Sequence, residues 1–146
     1  MMRDQSQLQD LARLTAAQKS AQEARMQKLV AEETGIRTQI SALDDRHQKA
    51  RDLPSEQMAG LRQIGADMLW QGWVSRNRRQ LQLRLAQVLA RKGAAMRDLR
   101  LAHGRNSAAE SLCHAATAEA RENLDKARLQ QEQTLMVMQA ARLDRQ

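Results

Sequence analysis

The sequence predicts an all-α protein, a long antiparallel two-helix coiled-coil hairpin whose second helix is longer than the first. Two Trp are the only aromatic residues among 146, which is too few for an ordinary globular core. Ala, Leu, Gln, Arg and Glu dominate the composition, as is typical of coiled coils and long helices. Only one strong helix break occurs, at Pro54, the single proline. We therefore expect a single helical hairpin over residues 1–146.

The first helix is predicted over about residues 4–51. Its second half carries apolar residues at coiled-coil spacing, and we expect Ile36, Ile40 and Leu43 to lie in the core. The full seam is Leu29, Glu33, Ile36, Ile40, Leu43, His47 and Ala50. Upstream, Leu8, Leu11 and Leu14 are expected to share one face. The polar residues Thr15, Gln18 and Gln22 interrupt this upstream stripe, so the first half of the helix is expected to be held more weakly.

The turn and a loosely wound lead-in are predicted over residues 52–66. Pro54 disfavours helical geometry at Leu53, and Ser55 is placed to cap the next helical turn. Gly60 and Gly65 weaken the turns after it. The second helix is therefore expected to be firm from about residue 67 to residue 143.

A second, longer seam follows in the second helix at steps of three and four residues. Its predicted core residues are Trp70, Val74, Leu81, Leu85, Val88 and Leu99. Alanine fills much of the rest of the seam, from Ala95 to Ala120, and allows two helices to approach closely. Asn77, Lys92 and Asn106 are polar insertions that fix the register of the two helices.

The stretch around Gly104 leaves two arrangements open. Gly104 can end a helix, and Ser107 with Glu110 matches a capping box, which would produce a three-helix bundle. The seam keeps its phase through this stretch, which favours one continuous helix. In that case the first helix covers about residues 67–115 of the second, and roughly the last thirty residues stay uncovered.

Positive charge is concentrated in the middle of the chain. The net charge is +7, and the stretch from Arg76 to Arg105 holds nine basic residues against Asp98 alone. This local field points to an anionic partner. The arginines scatter around the helix, as expected for a solvated coiled coil or for a helix inside a ring of acidic subunits. A helix that reads duplex DNA would collect them on one side, so the scatter argues against nucleic acid.

The tryptophans, Trp70 and Trp73, allow three interpretations. Trp70 lies on the seam and is expected to anchor the first packed layer of the hairpin. Trp73 lies on the flank, where it can anchor a protein partner, because Trp and Arg are enriched at binding hot spots. Stacking on nucleic-acid bases is the third interpretation.

The residues indicate neither catalysis nor a cofactor. His103, Cys113 and His114 do not converge on one ion, because adjacent helical residues point in different directions. No phosphate loop, nucleophile–base pair or zinc spacing occurs, and two helices offer no concave pocket. We expect a non-enzymatic protein with no cofactor, no metal and no small-molecule substrate. The polar N-terminus, the lack of an apolar span and the single cysteine predict a cytoplasmic protein without direct membrane insertion.

Taken together, the Pro54 turn, Trp70 early in the second helix and the basic, alanine-rich seam from Arg76 to Arg105 carry a family resemblance. The chain resembles the central stalk proteins of type III export, the flagellar FliJ family and its injectisome counterparts of the YscO type. The resemblance covers nearly the whole chain. It implies a fold similar to the coiled-coil γ stalk of rotary ATPases.

The resemblance implies that this stalk links a hexameric export ATPase to the membrane export gate and handles export chaperones. The protein would then be cytoplasmic, or peripheral at the inner membrane through an export complex. The coiled-coil end formed by the two termini would enter the ATPase ring, and the exposed tail of the second helix, with Leu135, Met136 and Met138, would lie there. Candidate contacts to the gate or chaperones are Trp73, Arg76, Arg78, Arg79 and Arg84. There are two alternatives. One is a nucleic-acid-associated coiled coil, and the other is a structural protein that self-assembles through the tail seam around Leu124 to Met138.

Overall fold

A computed structural model describes residues 2–54, 56, 59–60 and 65–143, with side chains from Asp4 onward. It contains two long helices, α1 over Met2–Arg51 and α2 over Ala66–Leu143, and no strand in the described ranges. The helices pack against each other and the second is longer, which confirms the all-α hairpin. The chain divides into two compact units, residues 20–101 and residues 1–19 with 102–146.

The end of α1 follows from local chemistry. Lys49 and Arg51 occupy its last turn, where positive charge interacts favourably with the helix dipole. The Asp52 amide still donates to the Gln48 carbonyl at 3.1 Å, and the helix ends before Pro54. Proline disfavours helical geometry in the residue before it, so the helix does not continue through Leu53. The predicted Ser55 cap lies outside the described residues.

The start of α2 depends on one glycine. Gly65 has a φ of 70°, a left-handed conformation that favours glycine, and it directly precedes the helix. The Leu69 amide donates to the Gly65 carbonyl at 3.3 Å, and Asp67 places a negative charge in the first turn. The left-handed Gly65 therefore leads directly into the first turn of α2.

In the unit formed by residues 20–101, α1 and α2 run antiparallel. Arg25 pairs with Asp98, Glu32 with Arg91 and Asp44 with Arg78, so residue numbers rise along α1 as they fall along α2. Met26 and Leu29 pack with Ala95 and Leu99 in a small hydrophobic cluster. The residues buried most completely are small, Val88 at 1% exposure and Ala95 at 0%. Small side chains at these points let the two backbones lie close together.

The unit formed by residues 1–19 and 102–146 is also antiparallel. The Gln5 side chain donates to the Ala116 carbonyl at 3.4 Å, and the Cys113 thiol donates to the Leu8 carbonyl at 3.2 Å. Both bonds join a side chain of one helix to the backbone of the other. Ala102, Asn106 and Ala109 are buried in this unit. Bonds from side chain to backbone require closely spaced helices, and the alanines provide that spacing.

One expectation for the first half of α1 is wrong. Leu8 is half-buried, but Leu11 and Leu14 are exposed. Steps of three residues rotate about 60° backwards around a helix, so two such steps move Leu14 well away from the face of Leu8. The buried or half-buried positions instead keep steps of three and four residues: Gln5, Leu8, Ala12, Thr15, Lys19, Gln22 and Met26.

The second helix is continuous and keeps its seam. α2 runs without a break through Gly104, so the three-helix alternative is excluded. Glu110 accepts a hydrogen bond from Asn106 at 2.9 Å. The seam departs from strict alternation once, because Asn77, Leu81 and Leu85 follow one another at steps of four. Such an insertion locally unwinds a coiled coil.

The tight alanine seam generates a stability prediction. Replacing the fully buried Ala95 by Leu should lower the free energy of unfolding by about 1–3 kcal/mol, because the added methyl groups force the helices apart. Ala90→Leu is the matched control, since Ala90 is exposed on the same helix. Alanine and leucine are both good helix formers, so helix propensity changes little in either variant. Urea unfolding followed by circular dichroism measures the difference. Equal loss of stability in both variants would contradict a close-packed seam.

Candidate functional site

The two tryptophans stack on each other at the surface. Their ring centroids are 5.2 Å apart and the ring planes differ by 20°. Trp70 is 37% exposed and Trp73 is 41% exposed, so Trp70 is not the buried core residue that we expected. α1 ends at Arg51, so the α1 seam provides no further residue at this level of α2. The first buried residue of α2 is instead Val74, one turn later.

Three exposed apolar residues lie on the side of α2 that faces away from the seam. Met68, Leu69 and Leu83 are strongly exposed. At 100° per residue these three residues, Trp73, Arg76 and Arg79 fall within about 140° of the helix surface. We call this set the outer patch: Met68, Leu69, Trp73, Leu83, Arg76 and Arg79. We did not identify the three aliphatic members from the sequence, although projection of residues 68–84 around a helix would have placed them there.

The arginines of this region differ in what they contact. Arg78 pairs with Asp44 at 3.3 Å, so its charge helps to hold α1 against α2. Arg76 reaches back along α2, since a Cβ built on Gly72 would lie 3.7 Å from its Nη1 atom. Within the described ranges Arg76, Arg79 and Arg84 form no ion pair. Arg76, Arg79 and Arg84 therefore keep their charge available to a partner, whereas Arg78 is engaged.

Acidic residues of α1 offset part of the basic stretch. Glu32 accepts from Arg91 at 2.8 Å and Glu33 accepts from Lys92 at 2.7 Å. Asp98, the one acid within that stretch, pairs with Arg25 of α1 at 3.0 Å. The sequence suggested a positive field throughout residues 76–105. The structure shows that three of these charges, on Arg78, Arg91 and Lys92, pair with acidic residues of α1 and hold the two helices together. The other six arginines of the stretch form no ion pair within the described ranges, and Arg76 and Arg79 of the outer patch are among them.

Glu33 and Lys92 form a charged contact inside the seam. The Glu33 side chain is only 13% exposed and is shared between Lys92 and Arg37, whose Nε lies 2.9 Å from the carboxylate. Hydrogen bonds from Lys92, and then from Arg37, hold the pKa of the Glu33 carboxyl below its ordinary value of 4.5. Glu33 therefore remains ionised at neutral pH and ties α1 to α2 at one level of the seam.

The second exposed surface is the end of α2. Every described side chain from residue 121 to residue 143 is exposed, including Leu135, Met136 and Met138. Leu135 and Met138 lie on one face of the helix, whereas Met136 points about 100° away from Leu135. The three tail residues that we predicted therefore do not form a single surface.

An open groove lies where α1 begins. It has a volume of about 490 Å³, and its apolar walls are Leu8, Ala116, Ala120 and Leu124. Gln5, Asp4, Glu119 and Asn123 complete the lining. The apolar surface of the seam thus continues into the exposed end of α2 at Leu124.

His103, Cys113 and His114 all lie on α2. The Cys113 thiol donates to a backbone carbonyl, and His103 and His114 are exposed. No three histidine, cysteine or acidic side chains gather as metal ligands among the residues that the structure describes. Neither of the described helices contains a segment apolar enough, over sufficient length, to cross a membrane.

The Glu33–Lys92 contact predicts a pH-dependent loss of stability. The pKa of the Glu33 carboxyl is lower in the folded protein than in the unfolded protein. The contact with Lys92 therefore stabilises the fold fully above the unfolded-state pKa, and this stabilisation is lost as the pH falls through the folded-state pKa. Lys92→Met should therefore destabilise the protein at pH 7, and the difference from the unaltered protein should shrink at pH 3. Lys126→Met is the control, since Lys126 pairs with Glu122 at an exposed site. An equal difference at both pH values would contradict the assignment.

Comparisons with known proteins identified no relative of this chain. No family model, no curated protein and no solved structure matches the chain. A functional assignment therefore depends on the two exposed surfaces of α2 and on the resemblance in sequence features.

Proposed function

We propose that the protein is a non-enzymatic central stalk of a type III protein export apparatus. In this role it links a hexameric export ATPase to the export gate and contacts export chaperones. It would act in the cytoplasm, or at the inner membrane through the export complex. The observation that carries the proposal is that one continuous helix, α2, bears two separate exposed surfaces, the outer patch and residues 121–143.

The tail is the part suited to a protein ring. Residues 121–143 present charged, polar and apolar side chains on all sides of one helix. A ring of subunits surrounds the helix that enters it, so it requires contact groups on every side rather than one binding face. A single helix is also narrower than a pair, about 10–12 Å across with side chains.

The outer patch is suited to a different partner. Trp73, Arg76 and Arg79 combine an exposed aromatic ring with charges that no described residue pairs. Residues of these types dominate binding energy at protein interfaces when an acidic partner neutralises the arginines. Such an attraction speeds capture and weakens with salt. The gate and the chaperones are the proposed partners at this surface.

The stalk proposal predicts stimulation of an ATPase. The protein should co-purify with the hexameric export ATPase of the source cell. Added in purified form, it should raise the rate at which that ATPase hydrolyses ATP. Leu135→Gln with Met138→Gln should reduce the stimulation several-fold, because both residues are exposed and on one face. Circular dichroism should show unchanged helicity. No binding and no stimulation with that ATPase would overturn the proposal.

The outer patch predicts a separable defect. Arg76→Glu with Arg79→Glu should abolish salt-sensitive capture of the gate or a chaperone from lysate and leave ATPase stimulation intact. Arg97→Glu is the control, since Arg97 is an exposed arginine of α2 outside the patch. Pull-downs at low and high salt measure the effect. The nucleic-acid alternative would be favoured by two results together. The unaltered protein would be retained on duplex DNA and lose that retention steeply with salt, and it would capture no protein partner.

A further inference from the structure

Five residues near the end of α2 share one face that α1 does not cover. At 100° per residue they fall within about 80° of the helix surface. Each of the five is exposed, the three large apolar ones by about 60%. We call this set the tail stripe: Leu124, Ala127, Gln131, Leu135 and Met138. Its spacing follows an eleven-residue repeat, which keeps such a stripe on one side of a nearly straight helix.

The tail stripe is symmetric about its central residue. Leu124 and Met138 lie seven residues before and after Gln131, and Ala127 and Leu135 lie four residues before and after it. If two copies meet antiparallel with Gln131 on the two-fold axis, Leu124 faces Met138 and Ala127 faces Leu135. The same contacts then occur twice, as an isologous interface requires. The small Ala127 opposite Leu135 also avoids a clash of large side chains.

The charges beside the stripe fit the same arrangement. Arg128 and Glu132 lie on one flank, and neither forms an ion pair among the described residues. In an antiparallel pair this flank faces the same flank of the second copy, so Arg128 of each copy approaches Glu132 of the other. The opposite flank carries the uncharged Gln130 and Thr134. No like charges therefore oppose each other near the axis.

From this symmetry we propose that the tail stripe binds a second copy of the chain as an antiparallel helix pair. The paired Gln131 amides hydrogen-bond across the axis and fix the register, as a buried polar residue does in other coiled coils. The remaining large apolar residues of the tail lie on other faces and take no part: Leu129, Met136, Val137 and Leu143. The interface is short, so the dimer forms weakly and reversibly with concentration. This inference does not depend on the proposed export role.

Sedimentation equilibrium of the full-length protein tests the dimer. The molar mass should rise from one chain to two with concentration. Leu135→Gln should raise the dissociation constant about tenfold or more, because each dimer loses two buried leucines. Leu129→Gln, an equally exposed leucine on the far side of the helix, should leave it unchanged. Arg128→Glu should weaken the dimer, and Arg128→Glu with Glu132→Arg should restore it.

Cross-linking tests the direction of pairing in a Cys113→Ser background. A short bismaleimide should join a Leu124→Cys chain to a Met138→Cys chain in a mixture. It should not join two Leu124→Cys chains, which lie about 21 Å apart along the axis in the antiparallel pair. The variant sites are exposed, so helicity should not change. A monomer at every concentration, equal effects of Leu129→Gln and Leu135→Gln, or ready cross-linking of Leu124→Cys to itself would overturn the proposal.

Discussion

Close contact between α1 and the alanine-rich seam of α2 is the constraint on which the other features depend. Ala95, Ala102 and Ala109 are almost completely buried, although each contributes little apolar area. The contact therefore gains from the short distance between the backbones rather than from large interlocking side chains. This proximity makes possible the bonds from the Gln5 and Cys113 side chains to backbone carbonyls of the opposite helix.

A seam of similar small residues does not define its own register. One alanine can replace another with little change in packing, so sliding by a heptad costs less than in a leucine-rich core. Polar contacts remove this freedom. Glu33 meets Lys92 in one unit, and Thr15 lies 3.3 Å from the buried Asn106 in the other. A slipped register would break both contacts between the helices and leave Lys92 without the Glu33 carboxylate, which costs more free energy than the exchange of one alanine contact for another.

The sequence was sufficient to predict the seam of α2 and the uncovered tail, but not the first half of the α1 seam or the surface around Trp73. The helix bounds and the seam positions of α2 from Val74 onward follow from periodicity and from Pro54, because burial along a coiled coil depends on spacing alone. Leu11 and Leu14 lie off the seam because its phase runs through Leu8, Ala12 and Thr15, and the positions of the leucines alone do not reveal that phase. The exposure of Trp70 and the engagement of Arg78 by Asp44 depend on where the opposite helix ends and which residues it brings alongside. Spacing within one helix does not contain that information.

The length of α1 explains why the tail carries so many exposed apolar residues. α1 can cover α2 only along its own length, and α2 continues for more than twenty residues past Ala120. Most helical stability in proteins comes from packing of one face, so a partner that covers one face of this segment also stabilises it as a helix. A second copy and an ATPase ring would both use Leu135 and Met138. The two occupants must then exclude each other, and because self-pairing is weak, a ring that surrounds the whole helix would displace it.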